Sequence, residues 1–239
     1  MAAVHHSLEK KLIEARRTLH QYPELSHEEY KTPERIRSWL EEAEIEILDS
    51  SLETGLIAQI AGKTGPIIAL RADIDALPIQ EESEESFQSV HAGVMHACGH
   101  DFHTAVMLGA AFLLKKQQEE LEGTVKIIFQ PAEETGTGAQ AVLETGMLDD
   151  VQAIFGLHND PYLKLGELGT RAGILSAGVD RFRITVKGKG AHAARPHLGT
   201  DPIIIGMDII NRLQTLVSRQ IPSTESGVIS VTQFHSGST

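Results

Sequence analysis

The chain has 239 residues, 41% hydrophobic and 23% charged, the composition of a globular protein with one large domain or one and a half ordinary ones, and not of a disordered chain. Its 33 acidic and 21 basic residues leave a formal net charge of −12, which argues against non-specific nucleic-acid binding and against docking on an anionic membrane. The single cysteine excludes an intrachain disulfide, and the sequence has neither a signal-peptide pattern nor an apolar run of roughly 18 residues, so the expected location is the cytoplasm.

In chain order, Leu8 to His20 is predicted as a helix, with Leu8, Leu12, Ala15 and Leu19 on one face. Pro23 breaks it. Ser26-His27-Glu28-Glu29 has the form of a capping box, which predicts a second helix opening there and running to about Glu42. Apolar runs at Ile45–Leu48, Gly55–Ile60 and Pro66–Ala72 predict strands, the last two joined by a Gly-Lys-Thr-Gly turn. A polar loop leads to the Cys/His segment, and Thr104–Lys116 follows as a helix. Thr124–Phe129 and Ala153–Leu157 are further apolar strands, with a short helix at Gln140–Thr145 between them. Helices alternating with apolar strands, and polar residues where strands stop, indicate an α/β sheet flanked by helices with its site at the strand ends. Past Gly178 the pattern changes. Arg181–Lys187 alternates as a strand buried on one face, Asp201-Pro202 starts a helix reaching about Arg219, and Gly227–Phe234 is one more strand. This β-α-β unit resembles the first half of a second domain.

The chemistry concentrates in Met95-His96-Ala97-Cys98-Gly99-His100-Asp101-Phe102-His103. A lone thiol among imidazoles and a carboxylate suits a borderline divalent metal. Further donors stand at strand ends: Asp73 and Asp75, the pair Glu133-Glu134, and His158. Adjacent glutamates point in different directions, so one can bind metal while the other moves protons. Asp73 and Asp75 suit either metal binding or the orientation of a ligand imidazole. His5, His6, His20, His27, His91 and His235 read as structural or surface residues, and His96 and His103 remain open. Gly136-Thr-Gly138 lacks the Gly-x-Gly-x-x-Gly pattern of a nucleotide fold.

RADIDALPI, MHACGHDFHTA, FQPAEE, GLHND and GAHAARPHLGTDPI, in this order and with His20-x-x-Pro-Glu-Leu-Ser26 before them, resemble the M20 metallopeptidase family. The nearest branch is that of N-acyl-amino-acid, hippurate and auxin-conjugate amidohydrolases. The resemblance implies two divalent metal ions (Mn, Zn, Co or Ni) held by Cys98, His100, Glu134 and His158. It further implies Glu133 as general base and Asp75 as the carboxylate that orients a ligand imidazole. His192 is implied as a lid histidine that reaches a partner subunit's site and steadies the oxyanion, with Arg195 a candidate for the substrate carboxylate. The implied substrate is a small N-acyl-amino acid and the implied assembly a homodimer of the full-length protein, with no nucleic-acid or membrane partner. The domains expected are a metal-binding catalytic domain over 1–178 and part of an inserted α+β lid and dimerisation domain over 179–239. Ending at Thr239, the sequence is expected to lack the rest of the lid and a returning segment that brings a last ligand histidine. A metal-binding or dimerising module without turnover is the competing expectation.

Overall fold

The structure, a computed structural model, describes residues 2–237, and only the backbone of residues 2–5. The side chain of His5 and the chain end at Thr239 lie outside the described residues. Two compact units divide between Leu168 and Gly169.

The first unit opens with helix α1 (Ala2–Gln21), whose spacing of Leu8, Leu12, Ala15 and Leu19 turns one stripe inward, with Ala15 and Leu19 buried. Helix α2 covers Lys31–Glu42, four residues later than the Ser26 capping box predicts. Glu24 supplies the cap instead, its two carboxylate oxygens accepting from the Lys31 N–H at 3.0 Å and the Thr32 N–H at 2.6 Å. Pro33 then sits in the first turn, where a missing N–H breaks no intrahelical bond.

Five strands form one mixed sheet: β1 (Glu46–Ile47), β2 (Leu56–Ala61), β3 (Ile67–Asp73), β4 (Thr124–Gln130) and β5 (Ala153–Gly156). Their order is β1-β2-β4-β3-β5, with β3, β4 and β5 mutually parallel and β1 and β2 antiparallel to their neighbours. The turn joining β2 to β3 therefore does not make a hairpin, because β4 inserts between them. Helix α3 (His100–Lys116) connects β3 to β4, and the short α4 (Gly138–Glu144) lies between β4 and β5.

The period-2 alternation of β4 divides the core. Val125, Ile127 and Phe129 join α1, α2 and α3 through Ala15, Ile36, Leu40, Leu108 and Phe112, while Ile128 packs with Ile57, Ala69 and Val142 on the α4 side. Lys126 is buried on that strand and stretches its ammonium to the Met147 carbonyl at 2.6 Å and to Asp150. Helices on both faces of parallel strands make a doubly wound arrangement, so the carboxyl ends of β3, β4 and β5 open at one edge. Strand β5 is exposed, with Ile154 and Phe155 more than half accessible.

In the second unit, helix α5 (Pro202–Gln220) is capped by Asp201, whose carboxylate accepts from the Ile203 and Ile204 N–H groups. Lys189 and Thr200 form an isolated antiparallel bridge. Residues 181–187 and 227–234, expected as strands, join no ladder among the described residues. A one-sided alternation supplies the side-chain pattern of a strand, but a ladder also needs a neighbour to pair with. No helix among the described residues is long and apolar enough to cross a membrane.

Candidate metal centre

Three strand ends and one helix start converge. Asp73 closes β3 and Asp75 follows it, Glu133 and Glu134 lie just past β4, His158 lies just past β5, and His100 opens α3. Gly99, directly before α3, has φ +87, and a Cβ there would fall 2.6 Å from Asn159 Oδ1. Only glycine both turns left-handed at that point and lets the loop after β5 approach.

The His100 imidazole is fully buried. Its Nδ1–H donates to the Asp75 carbonyl at 2.9 Å and to Asp75 Oδ1 at 3.2 Å. In the neutral ring that fixes the proton on Nδ1 and the lone pair on Nε2, which is buried and without a hydrogen-bond partner among the described residues. Around it stand Asp73 Oδ2 at 3.7 Å, Glu134 Oε1 at 3.8 Å and Glu133 Oε2 at 3.9 Å. Cys98 Sγ lies 3.4 Å from His158 Nε2, whose other ring nitrogen donates to the Asn159 carbonyl at 2.7 Å. His158 is thus oriented like His100, with Nε2 turned toward the other donors.

Three donor sets contain His100, one with Cys98 and His158, one with Glu133 and Glu134 and one with Asp73 and His103, each with its donor atoms within 4.8 Å of one another. A thiol, two imidazole Nε2 atoms with their Nδ1 sides occupied, and a carboxylate form a donor set that fits borderline divalent ions. The orphaned Nε2 is the decisive observation. Electrostatics agree with it. Burial opposes a charge on His100, yet the Asp75 hydrogen bond, the Cys98 sulfur and the charges of Asp73 and Asp75 push its pKa up to about 11. A field that holds a proton so strongly also favours a cation at the same place. Burial raises the Glu134 carboxyl, aided by Glu133 and Asp75 and opposed by His100 and Cys98.

Asp75 serves two sides at once. Its Oδ2 accepts from Ser26 Oγ at 2.7 Å and from the Glu134 N–H at 3.0 Å, while Oδ1 faces His100. Asp73 does a parallel task for His103, which sequence reasoning left open. His103 Nδ1 lies 2.6 Å from Asp73 Oδ1, and its Nε2 accepts the Asn159 N–H at 2.9 Å. Arg71 also binds Asp73, at 2.6 Å. Although burial works the other way, the His103 hydrogen bond and the charges of His100 and Arg71 bring Asp73 down to about 2. With both ring nitrogens engaged, His103 fits a role in seating the His158-Asn159 loop.

Of the remaining histidines, His20 is structural: it is buried between Asp101 at 3.0 Å and Glu81 at 3.1 Å. His96 is buried with neither ring nitrogen hydrogen-bonded among the described residues, and burial brings its pKa down to about 4. His192 belongs to the second unit, where it is exposed and its Nδ1 accepts the Ala194 N–H at 3.1 Å; Arg195, its neighbour there, is exposed too. Sequence reasoning missed Ser26, Glu29 and Asn159. The signals for the first two were the Ser-x-x-Glu pattern, whose local meaning as a capping box hid a long-range one, and, for Ser26, its place at the end of His20-x-x-Pro-Glu-Leu-Ser26.

Residues 69–238 match the family model described as peptidase family M20/M25/M40. The chain is 53% identical over 234 residues to the N-acetyl-L-cysteine deacetylase of Bacillus subtilis, covering 98% of this chain and 56% of that protein. It is 46% identical over 223 residues to the IAA-amino acid hydrolase ILR1-like 5 of Arabidopsis thaliana, covering 93% of this chain and 51% of that protein. A Bacillus subtilis crystal structure described as a dinuclear metal binding peptidase from the M20 family superposes with a TM-score of 0.70 at 55% identity. The match covers 70% of this chain and 48% of that one. The chain therefore spans about half the length of the curated relatives it matches.

Proposed function

The chain belongs to peptidase family M20/M25/M40, and we propose that it carries the metal centre of an amidohydrolase that cleaves N-acyl-amino acids to a carboxylic acid and a free amino acid. The observation that carries this reading is the buried His100 Nε2, held open by Asp75 and ringed by sulfur, imidazole and carboxylate donors. The names of the two relatives support the substrate class, one being a deacetylase of an N-acetylated amino acid and the other a hydrolase of an amino-acid conjugate.

In this reading Cys98, His100, Glu134 and His158 hold two divalent ions, with Mn, Zn, Co and Ni all compatible with the mixed soft and hard donors. Bound metal supplies an electrophile for the amide carbonyl and makes water at the site more acidic. Glu133 is the base. Its side chain is 41% exposed against 20% for Glu134, so it faces the space that water and substrate enter. Its carboxylate takes a proton as the water oxygen bonds to the carbonyl carbon, then gives that proton to the amine nitrogen as the C–N bond breaks. Asp75 keeps His100 in the ligating tautomer. Residues 1–178 act as the metal-binding domain, and 179–239 as part of a lid that also forms a homodimer. There His192 stabilises the oxyanion in the neighbouring subunit's site. The single thiol fits action in the reducing cytoplasm.

The test is hydrolysis of N-acetyl- and N-benzoyl-amino acids by the metal-loaded protein, before and after exhaustive chelation. Glu133→Gln is expected to keep its metal and lose roughly 10²-fold or more in rate, whereas Glu134→Gln loses metal. Undiminished hydrolysis after complete metal removal would end this reading.

A further inference from the structure

Residues 24–29 form a strap across the ends of β3 and β4, and no step of the reaction accounts for it. Leu25 bridges Ala76 in parallel, and the Ala76 N–H donates to the Glu24 carbonyl at 2.8 Å. Ser26 Oγ donates to Asp75. His27, left-handed at φ +68, sets its Nε2 2.8 Å from Thr137 Oγ1. Glu29 is fully buried, and burial, hydrogen bonds and the Asp75 charge are the chief influences on its carboxyl. Its Oε1 accepts the Ala132 N–H at 2.7 Å.

Ala132 is the unusual residue in this arrangement. It is buried and left-handed, with φ +47, and it immediately precedes Glu133 and Glu134. An alanine in that region is strained and persists only where its surroundings hold it. Its carbonyl accepts from the Gly138 N–H at 3.1 Å, and a Cβ on Gly138 would fall 1.6 Å from the Pro131 oxygen, so the far side of the turn has no slack. On the near side the one polar group that engages the Ala132 N–H is the Glu29 carboxylate, 103 residues away in sequence.

We propose that Glu29 is a positioning residue: by holding Ala132 left-handed it sets the directions in which Glu133 and Glu134 leave β4. The inference rests on the functional reading above only for the roles of those two glutamates. Burial raises the Glu29 carboxyl, while the Ala132 N–H works against that rise. A glutamine amide offers the same acceptor oxygen at the same reach.

The experiment measures metal affinity by competition with a chromophoric chelator, and kcat and KM on an N-acetyl-amino acid, in the full-length protein. Glu29→Ala is expected to weaken metal binding by roughly 10- to 100-fold and to lower kcat more than it changes KM. Glu29→Gln, which keeps an acceptor oxygen, stays close to wild type. Adding Ala132→Gly to Glu29→Ala restores most of the lost affinity, because glycine takes positive φ without a clamp. A purely structural glutamate would not be rescued in this way. If Glu29→Ala fails to fold, Glu29→Asp, which draws the acceptor back by one methylene, is expected to show a smaller loss with the same rescue. Wild-type affinity in whichever of these two variants folds, or a loss that Ala132→Gly leaves untouched, overturns the proposal. The metal titration needs no substrate, so a protein that binds metal but hydrolyses no N-acyl-amino acid refutes the functional reading and leaves this test standing.

Discussion

Replacing Asp75 with Asn tests how the centre is preorganised, because the change is nearly isosteric and removes only the second acceptor oxygen. The buried carboxylate receives the Ser26 hydroxyl and the Glu134 N–H on Oδ2 and the His100 Nδ1–H on Oδ1. An amide has one oxygen to offer. Turned toward Glu134, it sets an NH₂ against the His100 Nδ1–H. The imidazole then loses that partner and is held by the Asp75 carbonyl alone, at 2.9 Å. Turned toward His100, the amide leaves the Glu134 N–H facing another donor. The first choice leaves the His100 Nδ1–H with the Asp75 carbonyl as its one acceptor and a donor beside it, and the second strands the buried Glu134 N–H, at about 1–3 kcal/mol. Loss of a group that orients a ligand typically weakens metal binding by roughly 10- to 100-fold, which is about 1.4–2.7 kcal/mol. The two estimates agree. Competition titration against a chromophoric chelator reads the affinity, and the melting temperature of the metal-free protein reads the stability. If the Asn variant bound metal as tightly as wild type, the Asp75 carbonyl alone would be enough to fix the His100 tautomer, and the role given to the carboxylate would be wrong.

Gly99→Ala is expected to lower both the melting temperature and the metal affinity, since the new Cβ meets Asn159 at 2.6 Å at a residue with φ +87; a variant with unchanged affinity would separate the two loops. Leu108→Ala, in the core between α3 and the sheet, is expected to cost about 2–5 kcal/mol in denaturant unfolding with little effect on the metal affinity of the folded protein. His20 is raised above 6.5 by its bond to Asp101, against burial and with help from Glu81, so its stabilisation is full below 6.5 and fades as pH rises through the higher folded value. Asp101 and Glu81 are lowered despite burial, so theirs is present above 3.8 and 4.5 and is lost in acid. The gap in melting temperature between wild type and His20→Gln should therefore be widest between 4.5 and 6.5 and narrow on the alkaline side, and a gap independent of pH would show that His20 is not charged in the fold.

How much of this was legible in the sequence depended on the range of the interaction. Strands β3 and β4 were readable because both are apolar runs that end abruptly in polar residues, and that pattern is set by burial along one strand. The candidate donors Cys98, His100, Glu133, Glu134 and His158 were readable because thiol, imidazole and paired carboxylate are chemically distinct, and the glutamates and His158 stand where strands stop; the division of roles among them came from the family resemblance. Their convergence was a matter of topology: three parallel strands must open their carboxyl ends on one edge. The neighbour of β2 was not readable. Short sequence separation favoured β3, but the sheet inserts β4.

The strap at residues 24–29 shows why the remainder stayed hidden. Ser-x-x-Glu before an amphipathic run is a sound local signal for a helix start, and a helix does start nearby. Local propensity assigns Ser26 and Glu29 to that helix, since it counts only partners within a turn. Their actual partners, Asp75 and Ala132, lie 49 and 103 residues away. With Ser26 and Glu29 committed elsewhere, the cap had to come from another residue, and Glu24 provides it with both carboxylate oxygens. The cap, the late helix start and the clamped turn at Ala132 are one arrangement. Polar residues that a local motif explains adequately are therefore the ones whose long-range work a sequence conceals best, and here that work falls within two residues of both glutamates of the site.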